Sequence, residues 1–192
     1  MKLEFFLNKV ILLKKKILLV VLFLLFIIIL YGYICNNYSN DGILNNVKKG
    51  KRYKITQVQE IPIELFIKPE WIPLNSDEEI KGKVLLELYE STIVLNVTKS
   101  NKLFFEFKIK QNMNYNGGQF IYSAILHEDN NATVTSPMLI LTNKNKKKID
   151  VSYGIGNSNF AFDIKPENYK DIEEGFYVDY KYVYLHNYVK KF

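Results

Sequence analysis

Leu103-Phe104-Phe105-Glu106-Phe107-Lys108-Ile109-Lys110 is the stretch on which the fold turns. Leu103, Phe105, Phe107 and Ile109 fall on one side of an extended chain, and Glu106, Lys108 and Lys110 fall on the other. Successive side chains of a strand point to opposite faces, so this period of two predicts a strand with one face buried and one in water.

The same alternation recurs on both sides. Upstream, Ile61, Ile63, Leu65 and Ile67 share a face, and Pro62 on the other face places that strand at a sheet edge or a bulge, because proline has no N–H to give a ladder. Lys68-Pro69-Glu70-Trp71-Ile72-Pro73 breaks the pairing, and strands are expected at 82–89 and 92–98. Downstream, Asn116, Gly117 and Gly118 supply the positive φ angles of a tight hairpin turn, after which Phe120, Tyr122, Ala124 and Leu126 return. Further strands are predicted at 138–142, 148–155, 160–164 and 176–186. Short strands at regular spacing, with turn residues between them, predict an all-β domain, an antiparallel Greek-key sandwich.

The N-terminus follows a different rule. Residues 17–34 are 18 residues without a charge, and only Gly32 interrupts Leu, Ile, Val, Phe and Tyr. As a helix they reach roughly 27 Å, against ~30 Å for the hydrocarbon core of a bilayer. One transmembrane helix is predicted. The run is longer than a signal-peptide core, no Ala-x-Ala follows it, and the bulky Ile34 before Cys35 disfavours lipidation. An uncleaved anchor is therefore expected, secretion after signal cleavage being the alternative. Lys14, Lys15 and Lys16 abut the span and predict a cytoplasmic N-terminus with the following domain extracytoplasmic. The expected organisation is a cytoplasmic basic segment (1–16), an anchor (17–34), a flexible tether (35–54) whose Asn-rich composition buries little, and a β-sandwich domain (55–192).

A net charge of +6 invites a nucleic-acid reading until it is divided along the chain. Residues 1–16 carry +4, residues 35–54 carry +4, and the remainder from Ile55 carries −2. The basic excess is juxtamembrane, where anionic headgroups can hold it, and nucleic acid is not expected as a partner. Cys35 is the one cysteine and makes no internal disulfide.

Candidate chemistry is sparse, and neither a cofactor nor a metal is expected. His127, Glu128 and Asp129 are adjacent, so on a strand end they point to opposite faces and, with Asn130 and Asn131, read as a hairpin tip. His186 has no partner that the sequence assigns. Gly154-Ile155-Gly156-Asn157-Ser158 lacks the third glycine of a dinucleotide fingerprint and reads as a turn. Lys144, Lys146, Lys147 and Lys148 read as a solvated loop. Tyr180, Tyr182 and Tyr184, at i, i+2 and i+4, would share one strand face, either as an aromatic stripe for a protein or glycan partner or as a sheet face packed in the core.

In Phe160-Ala161-Phe162-Asp163-Ile164-Lys165-Pro166, then Ile172-Glu173-Glu174-Gly175-Phe176-Tyr177, an apolar strand and a proline loop lead to a Gly-x-Tyr that opens a closing strand. This cadence, over about 25 residues, resembles the end of bacterial immunoglobulin-like surface and fimbrial-type sandwich domains. The resemblance implies an immunoglobulin-like fold, a binding or structural role at the cell surface, and a C-terminal strand central to folding. Pilin subunits of that kind are released from a cleaved signal, whereas this chain is expected to remain anchored. The expected function is a membrane-anchored binding or structural module and not an enzyme, the alternative being an accessory subunit of an envelope complex for secretion, assembly or immunity.

Overall fold

The computed structural model describes residues 2–73, 75, 78–129, 131–135, 137–156 and 158–191, with residues 2–13 and 134 described by their backbone alone. The alternating segments form strands β1 (Tyr53–Ile67), β2 (Glu79–Leu88), β3 (Ser91–Lys99), β4 (Leu103–Gln111), β5 (Gly117–Tyr122), β6 (Ala124–Leu126), β7 (Ala132–Val134), β8 (Met138–Asn143), β9 (Lys148–Ile149), β10 (Ser152–Ile155), β11 (Asn159–Ile164) and β12 (Phe176–Lys190). Two antiparallel sheets result, one ordered β1-β12-β8-β9 with β5 also on β12, the other β10-β11-β4-β3-β2, beside a small β6–β7 hairpin. Helix α1 (Lys2–Tyr38) precedes them, followed by helix α2 (Asn40–Lys48).

The decisive stretch behaves as its alternation requires. Leu103, Phe105, Phe107 and Ile109 of β4 are buried between the sheets, and Phe104 is exposed. Phe107 stacks on Phe160 of β11 at 4.4 Å between ring centroids, and Phe160 meets Tyr180 of β12 at 4.3 Å. Ile63, Leu65 and Ile67 of β1 close this core from the other sheet. Each such side chain taken out of water stabilises the sandwich by roughly 1.5–3 kcal/mol.

Strand β12 is the spine of its sheet. Along one side it pairs with β1 from Tyr53↔Lys190 to Ile67↔Phe176; along the other it pairs first with β8 and then with β5. Two bulges interrupt the β1 pairing. Thr56 is an extra residue on β1, and Pro62 lies opposite both Lys181 and Tyr182 on β12. Strand β1 is thus an edge strand whose proline also marks a bulge, as the missing N–H demands. Each bulge switches the face on which alternate residues lie. Ile61, Ile63, Leu65 and Ile67, with Phe176, Val178 and Tyr180, therefore face the opposite sheet, whereas Tyr53, Ile55 and Tyr188 enter a second core on the other side, with Ile43 and Val47 of α2, Met113, Phe120, Tyr122, Ala124 and Leu126.

Two expectations are corrected. Residues 35–54 are not a flexible tether: α1 continues to Tyr38, α2 follows after Ser39, and β1 begins at Tyr53. Ser39 caps α2 by accepting the Gly42 N–H at 3.0 Å, and Ile43 and Val47, one helical turn apart, bury against the sheet. The polar composition of that segment concealed this apolar face. Nor do β4 and β5 form a hairpin. Gly117, at φ +141°, starts a strand that crosses to the other sheet, where a Cβ would lie 2.7 Å from the Tyr188 carbonyl oxygen.

Candidate membrane-proximal interface

Lys14–Tyr38 within α1 is long and apolar enough to cross a membrane, and its apolar run from Ile17 to Ile34 is exposed throughout. Tyr31, Tyr33 and Tyr38 stand at least half exposed at its far end, and tyrosine is the residue type that gathers where hydrocarbon meets headgroups.

The domain is fastened directly to that end. Ser39 Oγ donates to the Cys35 carbonyl oxygen at 2.5 Å, and Asn46 Nδ2 of α2 donates to the Asn36 carbonyl oxygen at 2.7 Å. Gly42 lies so close to α1 that a Cβ there would come 2.2 Å from the Cys35 oxygen. From the start of β1, Arg52 Nη1 donates to Asn37 Oδ1, and the guanidinium lies 5.9 Å from the Tyr33 ring centroid. From the β4–β5 connection, Tyr115 stacks on Tyr38 at 4.6 Å. Lys190, at the end of β12, places Nζ 3.7 Å from the Tyr115 ring centroid, and Lys191 Nζ donates to the Gly50 carbonyl oxygen. Lys190, ahead of Tyr38, holds the Tyr115 phenol below its ordinary pKa. Segments far apart in sequence thus meet around one helix end.

The second core supports this joint from below. Tyr53 Oη donates to the Tyr115 carbonyl oxygen at 3.0 Å, and Tyr188 Oη donates to the Asn114 carbonyl oxygen at 2.9 Å. His186 is fully buried and stacks on Phe120 at 5.1 Å. Its Nε2 accepts the Leu126 N–H at 3.1 Å, which assigns the neutral tautomer with the proton on Nδ1. Burial pushes its pKa down to about 4, the Tyr184 backbone opposing this in part.

The tyrosines at i, i+2 and i+4 part company at the bulge opposite Pro62. Tyr180 is buried between the sheets, where burial pushes its phenol up to about 12. Tyr182 is 43 % exposed with φ +59°, and Tyr184 is half-buried. His127 bonds Thr133 Oγ1 at 2.7 Å at the exposed end of the β6–β7 hairpin, where Asp129 accepts from Asn131; Asn130 lies outside the described residues. Gly154 and Ile155 end β10, which pairs with β11, and the intervening Asn157 is likewise outside them. Lys144, Lys147 and Lys148 pair with Glu174, Asp171 and Asp150.

Elsewhere a half-open depression of about 400 Å³ is lined by residues that include Lys102, Asp150, Val151, Asp163 and Glu167. Among the described residues no three His, Cys, Asp or Glu side chains are grouped to hold a metal ion.

Reading the sequence missed the convergence of Arg52, Lys190 and Lys191 on one helix end. The available signal was charge. Residues 35–59 and 180–191 hold eight Lys and Arg against the single acid Asp41. Comparison with protein-family models, with curated proteins and with solved structures finds no match to this chain.

Proposed function

We propose that this chain is a membrane-anchored binding or structural module whose β-sandwich stands on the extracytoplasmic side, directly on the end of its spanning helix. The observation that carries the reading is the joint itself: an exposed apolar helix of membrane-crossing length passes into a folded domain with one residue, Ser39, between α1 and α2. The three lysines before the span favour a cytoplasmic N-terminus. Exposed sheet faces, with Tyr182 displayed at a bulge, suit contact with a protein or a glycan at the cell surface. The finer description of the sandwich, Greek-key and immunoglobulin-like, rests on strand spacing and on the closing cadence that ends in Gly175-Phe176-Tyr177.

The fixed joint also favours a second reading, an accessory subunit of an envelope complex, because a set angle between helix and domain matters most when both touch the same partner. Protease treatment of intact cells, with the mass of the mature N-terminus, tests the first reading. External cleavage of a chain that keeps its N-terminus supports it; a protected domain, or a new terminus near residue 35, contradicts it. A flexible ten-residue insertion after Tyr38 separates the two readings: a free-standing module keeps its function, and a subunit that uses helix and domain together loses it.

A further inference from the structure

The inference rests on the anchored reading above and concerns what the joint binds. At 1.5 Å per residue, Asn37 and Tyr38 lie roughly 4–6 Å beyond Ile34, where the apolar run ends. Headgroups occupy roughly 5–7 Å on each side of the hydrocarbon core. Arg52, bonded to Asn37, and Tyr115, stacked on Tyr38, therefore stand at the height of lipid phosphates.

Three further observations concern the cations there. None of the ion pairs among the described residues includes Arg52, Lys190 or Lys191. Arg52 holds its backbone at φ +63°, a conformation that disfavours a side chain, and in it the guanidinium reaches the helix end. One of its N–H groups is engaged by Asn37, and a guanidinium carries five donors, so donors are left to fork onto phosphate oxygens. Lys190 rides on the Tyr115 ring through cation–π attraction, which fixes the ammonium at the same level.

We propose that Arg52, Lys190 and Lys191, levelled by the Tyr38–Tyr115 stack, form a seat for the phosphates of anionic lipid headgroups in the leaflet where α1 ends. The seat selects anionic over zwitterionic lipid because no Asp or Glu side chain among the described residues forms an ion pair with its cations. Loss of each cation lowers the preference by at most about fivefold, the equivalent of ~1 kcal/mol for a fully effective juxtamembrane charge.

The test uses the full chain in nanodiscs of equal phosphatidylglycerol and phosphatidylcholine, released into native mass spectrometry to count retained lipids. The expected result is severalfold enrichment of phosphatidylglycerol, reduced to parity by Arg52→Gln with Lys190→Gln and Lys191→Gln. Lys144→Gln with Lys146→Gln and Lys148→Gln, removing as many charges from the β8–β9 region, leaves it unchanged. Parity in the unmodified chain, or equal losses in both triple variants, overturns the proposal. If the first triple variant fails to melt cooperatively, Lys191→Gln alone decides, with a partial fall expected and an unchanged preference contradicting. A chain that carbonate washes from vesicles refutes the anchored reading, whereas a chain that stays inserted without lipid preference refutes only the seat.

Discussion

The core between the sheets and the smaller core against α2 share strands β1 and β12, yet they differ in how they are closed. Between the sheets, aromatic and aliphatic side chains meet from two walls of strand, Phe160 on Tyr180 and Phe105 on Phe176. Against α2, one wall is sheet and the other is a nine-residue helix, and Tyr53, Tyr188 and His186 bring polar atoms that bond to backbone. A helix that short does not stand alone in water, so α2 persists only while its apolar side is covered. The contrast separates a core that makes the domain from a core that orients it on helix α1.

The most damaging change should fall on the first core. Phe107→Ala is expected to destabilise the whole domain by about 3–5 kcal/mol, read from denaturant unfolding, because the stacked ring leaves a cavity between two rigid sheets. A loss confined to α2 would erase the distinction between the cores. Acid should act chiefly through the second core. His186 titrates near 4 when folded and near 6.5 when unfolded, so as pH falls through that window the unfolded chain takes up the proton first. Its contribution is complete above pH 6.5 and drains away by about pH 4, about 3 kcal/mol in all. His186→Phe should flatten that part of the stability–pH curve; an unchanged slope would mean that other groups produce it.

Ile43→Ala should come next, at about 2–3 kcal/mol, and its effect should be local. Amides of α2 are expected to exchange faster while those of β3 and β4 hold their protection. Gly42→Ala sharpens the same point through its sign. Alanine in place of a helical glycine usually stabilises by about 1 kcal/mol, but here the new Cβ meets α1 backbone, and a loss of about 1–2 kcal/mol is expected with loosening of the joint. Smallest of all, Tyr182→Gly should relieve a positive φ at an exposed position and gain up to about 1 kcal/mol, measured as a modest rise in melting temperature.

How much of this was legible in the sequence follows from the same contrast. Alternation at 103–110 and at Ile61 to Ile67 announced the inter-sheet core, since those two stretches keep a strict period of two, and Pro62 announced an edge or a bulge, of which the structure has both. The second core depends on events that break the period. A bulge at Thr56 turns Tyr53 and Ile55 to the other face, and a bulge opposite Pro62 separates Tyr180 from Tyr182 and Tyr184. The location of a bulge on the partner strand follows from pairing, which a single strand's pattern does not carry. Helix α2 was hidden because its asparagines outweigh Ile43 and Val47 in any count of composition, although the two sit one turn apart. Gly117 and Gly118 looked like a turn because glycine serves equally where one backbone must approach another, here that of Tyr188.

The central claim, that the domain is fixed to its span by α2 and not tethered to it, is tested most directly by one distance. With Cys35→Ser as background and spin labels at Tyr31→Cys on the helix and Lys110→Cys on β4, both exposed, the full chain in nanodiscs is measured by pulsed dipolar spectroscopy. A single narrow distance distribution, which Gly42→Ala broadens, is the predicted result. A broad distribution in the unmodified joint, spanning tens of ångströms, would contradict it.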